Sequence, residues 1–114
     1  MLAVIFELKA HPAHQQRYFE LAAELKSFVS EIDGFISIER FQSLAEPEKY
    51  LSLSFWENEQ AIAQWRNLEK HRSAQKQGRE QILDYYRLRV AKVVRDYDIG
   101  ISEQRPVDSA TELE

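Results

Sequence analysis

The 114-residue chain is near the size of one compact domain, with 44% hydrophobic and 11% aromatic residues for an interior and 30% charged residues for a solvated surface. Its formal net charge of -4, from 15 basic and 19 acidic side chains, argues against salt-driven binding of nucleic acid. The lack of cysteine removes disulfides, thiolate catalysis, iron-sulfur clusters and cysteine-zinc sites, and no apolar run nears the roughly 20 residues that cross a bilayer.

The first stretch, "LAVIFELK", alternates Leu2, Val4, Phe6 and Leu8 against Ala3, Ile5 and Glu7, which predicts a strand with two mostly apolar faces. The start "MLAVIFELKAHP" lacks the basic residues and small-residue cleavage site of a secretory signal, so a cytoplasmic location is expected. After His11-Pro12 the period changes. Tyr18, Leu21, Ala22, Leu25, Phe28, Val29 and Ile32 make one apolar stripe of a helix, which Asp33-Gly34 ends.

"FISIERFQSL" and "KYLSLSFWE" alternate again across the turn "AEPE", and a connection this short makes them an antiparallel hairpin. A helical region from Gln60 to Glu80 follows, then a long strand, "DYYRLRVAKVVRDY". The order βαββαβ predicts an α+β, ferredoxin-like domain over residues 1–97, a four-stranded antiparallel sheet with helices on one face. Residues 98–114 are polar and acidic without periodicity, and read as a mobile tail or as an arm lying over a partner subunit. Both faces of the outer strands carry apolar side chains, Ala3 and Ile5 against Leu2 and Val4, and Ala91 and Val93 against Val90 and Val94. Such a sheet is expected to bury its second face against another copy, as a homodimer packed sheet to sheet.

The stretch "QAIAQWRNLEKHRSAQKQGRE" sets one tryptophan and one histidine into a polar helix. On a straight helix Trp65 and His71 stand about 120° apart, so they share a face only if the helix breaks, and Asn67 is placed to cap a second segment. Ala74 and Gly78 are small, and His71 and Gln75 beside them favour a cavity. The plainer reading makes Trp65 core, His71 a hydrogen-bonded structural residue, and Arg72, Lys76 and Arg79 a solvated face.

The element order, "SFWENEQAIAQWR", "HRSAQKQGRE" and "YRLRVAKVVRDY" together resemble the antibiotic biosynthesis monooxygenase family of dimeric α+β barrel proteins, over roughly residues 1 to 97. The resemblance implies oxidation of an aromatic or phenolic substrate without flavin or metal. In that chemistry the substrate's own phenolate or carbanion passes an electron to oxygen, and the protein supplies a dry pocket and a proton acceptor. Trp65 matches the pocket tryptophan of those enzymes, and His71 falls where they carry a polar aromatic residue, which makes it the candidate catalytic proton acceptor. Gln75, Phe28, Phe35 and Phe55 complete the candidate substrate-binding set. Ala61 stands where those enzymes carry an asparagine, one turn before the tryptophan. A haem-degrading branch carries a ligating histidine ten residues after the tryptophan. That position is Gln75 here, a poor haem ligand, so haem would need His71 instead.

No metal site is expected. His11 and His14 stand at i, i+3 without an acidic partner, and three glycines in the chain leave no phosphate-cradling loop. Tyr85, Tyr86, Arg87 and Arg89 supply phenols and cations on the last strand, where interface or edge roles are commonest. The leading expectation is a cytoplasmic homodimeric monooxygenase acting on a small hydrophobic or aromatic ligand. The competing ones are a non-catalytic ligand-binding or stress-response module of the same fold, and a haem-binding or haem-degrading protein.

Overall fold

The computed structural model describes residues 1–75, 83–101 and 103–109, with side chains of 69–75 and 109 outside the described set. Four strands, β1 (Leu2–Ala10), β2 (Phe35–Gln42), β3 (Lys49–Trp56) and β4 (Leu83–Lys92), alternate with helices α1 (Gln15–Val29) and α2 (Glu59–Gln75) as βαββαβ. The sheet is antiparallel in the order β2-β3-β1-β4, so the first strand of the chain, β1, is paired on both sides.

Local chemistry sets each boundary. Pro12 opens a short 3-10 turn through His14, and His11 Nδ1 accepts a hydrogen bond from the Ala13 amide at 3.2 Å. Helix α1 then buries Tyr18, Leu21, Leu25 and Val29 of the predicted stripe against the sheet, leaves Ala22 and Phe28 half-buried, and ends at Val29, before Ile32. Gly34 turns the chain into β2 at φ +95, a conformation that disfavours any side chain; a Cβ there would also meet the Ala61 Cβ at 2.9 Å. Asn58 caps α2, its Oδ1 accepting from the Ala61 amide at 2.9 Å.

Two expectations are corrected. Helix α2 runs unbroken through Asn67 to Gln75. Asn58 already provides the cap, and one exposed asparagine costs a helix interior no more than about 0.7 kcal/mol, too little to break it. The last strand stops at Lys92 instead of reaching Tyr97: Lys92 pairs with Leu2, the Val93 amide bonds the Met1 carbonyl, and from Val94 the chain leaves the sheet.

The sheet's two faces follow from the register. Val4, Phe6 and Leu8 stand beside Ser54, Ser52 and Tyr50 on one flank and Val90, Leu88 and Tyr86 on the other, all on the helix side. There Phe6, Leu8 and Ala10 meet Tyr18, Leu21 and Leu25, while Val4 and Trp56 meet Val29, Ala61 and Ile62. The opposite face carries Ala3, Ile5 and Glu7 with Phe55, Leu53 and Leu51.

Candidate functional site

Trp65 lies where the two halves of the core meet, half-buried and packed against both. Its ring sits 6.5 Å from that of Trp56 at 31°. Trp56 is fully buried, and its indole N–H donates to Ser54 Oγ at 2.9 Å, so its polar edge is satisfied inside the core. Sequence reading passed over Trp56, although its place at the end of an alternating strand marked it as inward.

The helix side of β4 contrasts with this seal. Tyr86, Leu88 and Val90 are 47%, 50% and 43% exposed, directly beside a β1 row that is almost closed. The Tyr86 ring leans on Phe6 with centroids 5.9 Å apart. The three side chains form an apolar shelf with one hydroxyl at its end. Sequence reading also missed this shelf. Its signal was in "YYRLRV", where bulky apolar residues alternate with arginines.

The predicted site residues are only partly brought together. Phe35 lies on the helix side but packs edge-to-face on Trp56 at 5.3 Å, in the core half that holds Ile32 and Ile38. Phe28 is half-buried on α1. Phe55 pairs with Ala3 on the opposite sheet face, so the sheet itself separates it from Trp65, and it does not line the same hollow. Period-2 alternation gave its strand but not which face was inward. His71 and Gln75 fall on α2, and their side chains lie outside the described residues. With α2 continuous, positions 65 and 71 stand about 120° apart round its axis, so the convergence that a break would have allowed is not built in this way.

The open sheet face has its own polar centre. Glu7 Oε1 is 3.0 Å from Lys49 Nζ, Glu7 Oε2 accepts from Arg89, and Arg87 stands directly across from Glu7. Lys49 first, then Arg89, hold the Glu7 carboxyl below the usual carboxylate range, and Glu7 in return raises Lys49. Beside them Ile5, Phe41, Gln42, Ser43, Tyr50 and Leu51 edge an open depression of about 370 Å³. The His11 and His14 rings are 5.4 Å apart, and no group of three His, Cys, Asp or Glu among the described residues is placed to hold a metal. No helix is long and apolar enough to cross a membrane among the described residues.

The profile of the family described as antibiotic biosynthesis monooxygenase matches residues 1–77. A protein of Pyricularia oryzae named jasmonate monooxygenase ABM is 42% identical over 93 residues, which are 82% of this chain and 43% of that protein, so the chain spans under half of that relative's length. The solved structure of a mutant of SnoaB, a cofactor-independent oxygenase from Streptomyces nogalater, superposes with a TM-score of 0.68 at 9% identity, over 83% of this chain and 94% of that one. A mutant of MhuD with two manganese protoporphyrin IX bound per active site gives 0.68 at 16% identity, over 86% and 99%. At these identities the two structures speak for the fold alone.

Proposed function

Because the chain belongs to the antibiotic biosynthesis monooxygenase family, we propose that it is a cofactor-independent monooxygenase whose substrate rests on the β4 shelf beside Trp65. One observation carries the placement: three bulky apolar side chains stay roughly half exposed on the face that the helices otherwise close. An exposed apolar patch of this kind marks a surface that meets something outside the domain.

Such a surface suits a small, flat or compact apolar molecule with a C–H bond acidified by a carbonyl or a phenol. Phenolic aromatics fit that description, and so does jasmonate, a cyclic ketone acid, which the name of the 42% identical relative brings into the candidate set. A base removes one proton from the activated CH2 group, and the carbanion passes an electron to dioxygen. The radical pair joins to a hydroperoxide, which loses water to leave a carbonyl, so CH2 and O2 become C=O and H2O. Low polarity around the shelf favours the step in which charge is dispersed. Trp65 supplies the wall, Phe28 and Gln75 neighbouring surface, and His71, on the same helix as Trp65, the base. The active unit is a homodimer joined through the open sheet faces, working in the cytoplasm.

Oxygen uptake with an anthrone-type phenol and with jasmonate tests this reading. Turnover of either substrate, abolished in Leu88→Asp and lowered roughly 10²- to 10⁴-fold in His71→Ala, is expected. Unchanged turnover in His71→Ala removes the histidine from the mechanism. A second reading, a non-catalytic binding module, draws support from the shelf's chemistry, since Tyr86 offers its only polar tip. Tight binding of either compound without oxygen uptake would establish it. Titration with hemin separates both from the haem reading: a Soret shift that disappears in His71→Ala would favour haem over either.

A further inference from the structure

Beyond β4 the chain does not trail off. Asp98 Oδ1 accepts from the amides of Gly100 and Ile101 at 2.8 and 2.6 Å, and the Asp98 amide bonds the Ile101 carbonyl at 2.8 Å. Gln104 accepts from the Asp96 amide at 2.6 Å. Arg105 donates to the Asp98 carbonyl at 3.2 Å and stacks over the Tyr97 ring at 5.7 Å. These bonds close a compact arm on itself, with a last 3-10 turn at Val107–Ser109.

The arm's outer surface is unusual for a monomer. Val94, Ile99, Ile101 and Val107 are 78%, 92%, 56% and 91% exposed. The radius of gyration, 16.5 Å, exceeds the roughly 13 Å of a compact domain of this length, as it does when part of a chain projects. Conformational order costs free energy, so a folded arm displaying four aliphatic side chains is built for a surface outside its own domain.

We infer that this arm docks on the open sheet face of a second copy of the chain, with Ile99 and Ile101 entering the depression edged by Ile5, Phe41 and Leu51. The inference rests on the homodimer of the proposed function and specifies how its rim is made. Charge complementarity selects the occupant. Asp96, Asp98, Glu103 and Asp108 outnumber Arg95 and Arg105 on the arm, four against two, an excess of two negative charges. Around the depression Lys49, Arg87 and Arg89 face Glu7, three against one, an excess of two positive charges on a chain of net charge -4. With Glu39 of β2 and the Lys9–Glu46 pair counted as well, the face still carries four positive against three negative charges.

The pairing also fixes the symmetry. The arm leaves its own sheet at the Leu2 end, while the depression lies at the Lys49 end. The two ends overlie one another when the sheets face each other about a dyad running across the strands. Each arm then covers the partner's depression, and the contact occurs twice.

Sedimentation equilibrium and cross-linking on the full chain test the inference, and the absence of native cysteine makes engineered pairs unambiguous. The doubly substituted Phe41→Cys, Ile99→Cys protein should yield a covalent dimer under mild oxidation. Ile99→Asp with Ile101→Asp should weaken dimerisation roughly tenfold or more. Arg87→Glu and Glu103→Lys should each weaken it, and their combination should restore it. A wild-type chain that is monomeric overturns the homodimer and the docking together. A stable dimer unaffected by the arm substitutions, with no cross-link, overturns the docking alone and leaves the homodimer standing.

Discussion

Strands β1 and β4 lie side by side and present the same kind of residue to the helices, yet their fates differ. Leu8 is fully buried under α1, whereas Leu88, one strand over on the same face, is half exposed. Both are leucines in regular antiparallel pairing, so neither propensity nor register distinguishes them. What differs is the cover: α1 lays Tyr18, Leu21 and Leu25 over β1, and β4 is the edge. The comparison separates apolar residues that hold the fold from apolar residues that the fold leaves open.

Substitution at the paired positions breaks or sharpens that division. Leu8→Ala should cost about 2–5 kcal/mol of unfolding free energy in denaturant titrations, the transfer of a buried side chain plus the cavity it leaves. A cost much below this would mean that the β1 row is not sealed. Gly34→Ala comes next, at about 1–3 kcal/mol, since the positive φ and the close Ala61 Cβ combine. It would show how far the α2 entry braces the same core. Leu88→Ala should change stability by less than about 1 kcal/mol while lowering substrate affinity, measured by calorimetry. Equal losses at Leu8 and Leu88 would remove the distinction.

The smallest effect lies on the other face. A carboxylate held below its ordinary pKa stabilises the fold above that ordinary value and gives up its contribution as pH falls through the lower, folded value. Melting temperature in the wild type should therefore fall as the solution passes from neutral into the acid range. In Glu7→Gln it should begin lower, and the acid limb should be flatter. Identical slopes would place the Glu7 cluster outside the energetics of folding, as holds for many exposed ion pairs.

Much of the architecture was legible because alternation and the helical stripe are read one element at a time. Leu2 to Leu8 announced β1, and Tyr18 through Val29 announced α1, since each pattern needs only its own residues. The hollow was less legible because it depends on what lies over what. Phe55 and Phe35 look equivalent in alternating strands, and only pairing with Ala3 or with Trp56 on the neighbouring strand assigns them to opposite faces. Asn67 has the chemistry of a cap but not the context, since Asn58 had already begun the helix. The end of β4 was hidden for a similar reason: Val93 and Val94 suit a strand by type, and only the register shows that the ladder ends at the Leu2–Lys92 pair and the Val93–Met1 bond.

The edge position of β4 has a consequence for the behaviour of the protein at high concentration. A bare edge strand is a template on which further chains can stack into fibres. On β4 the alternate positions Arg87 and Arg89 carry fixed positive charge, and a second β4 laid alongside would bring guanidinium groups into opposition. The arginines thus act as gatekeepers: the apolar shelf can remain greasy on one side of the strand because the other side repels its own image.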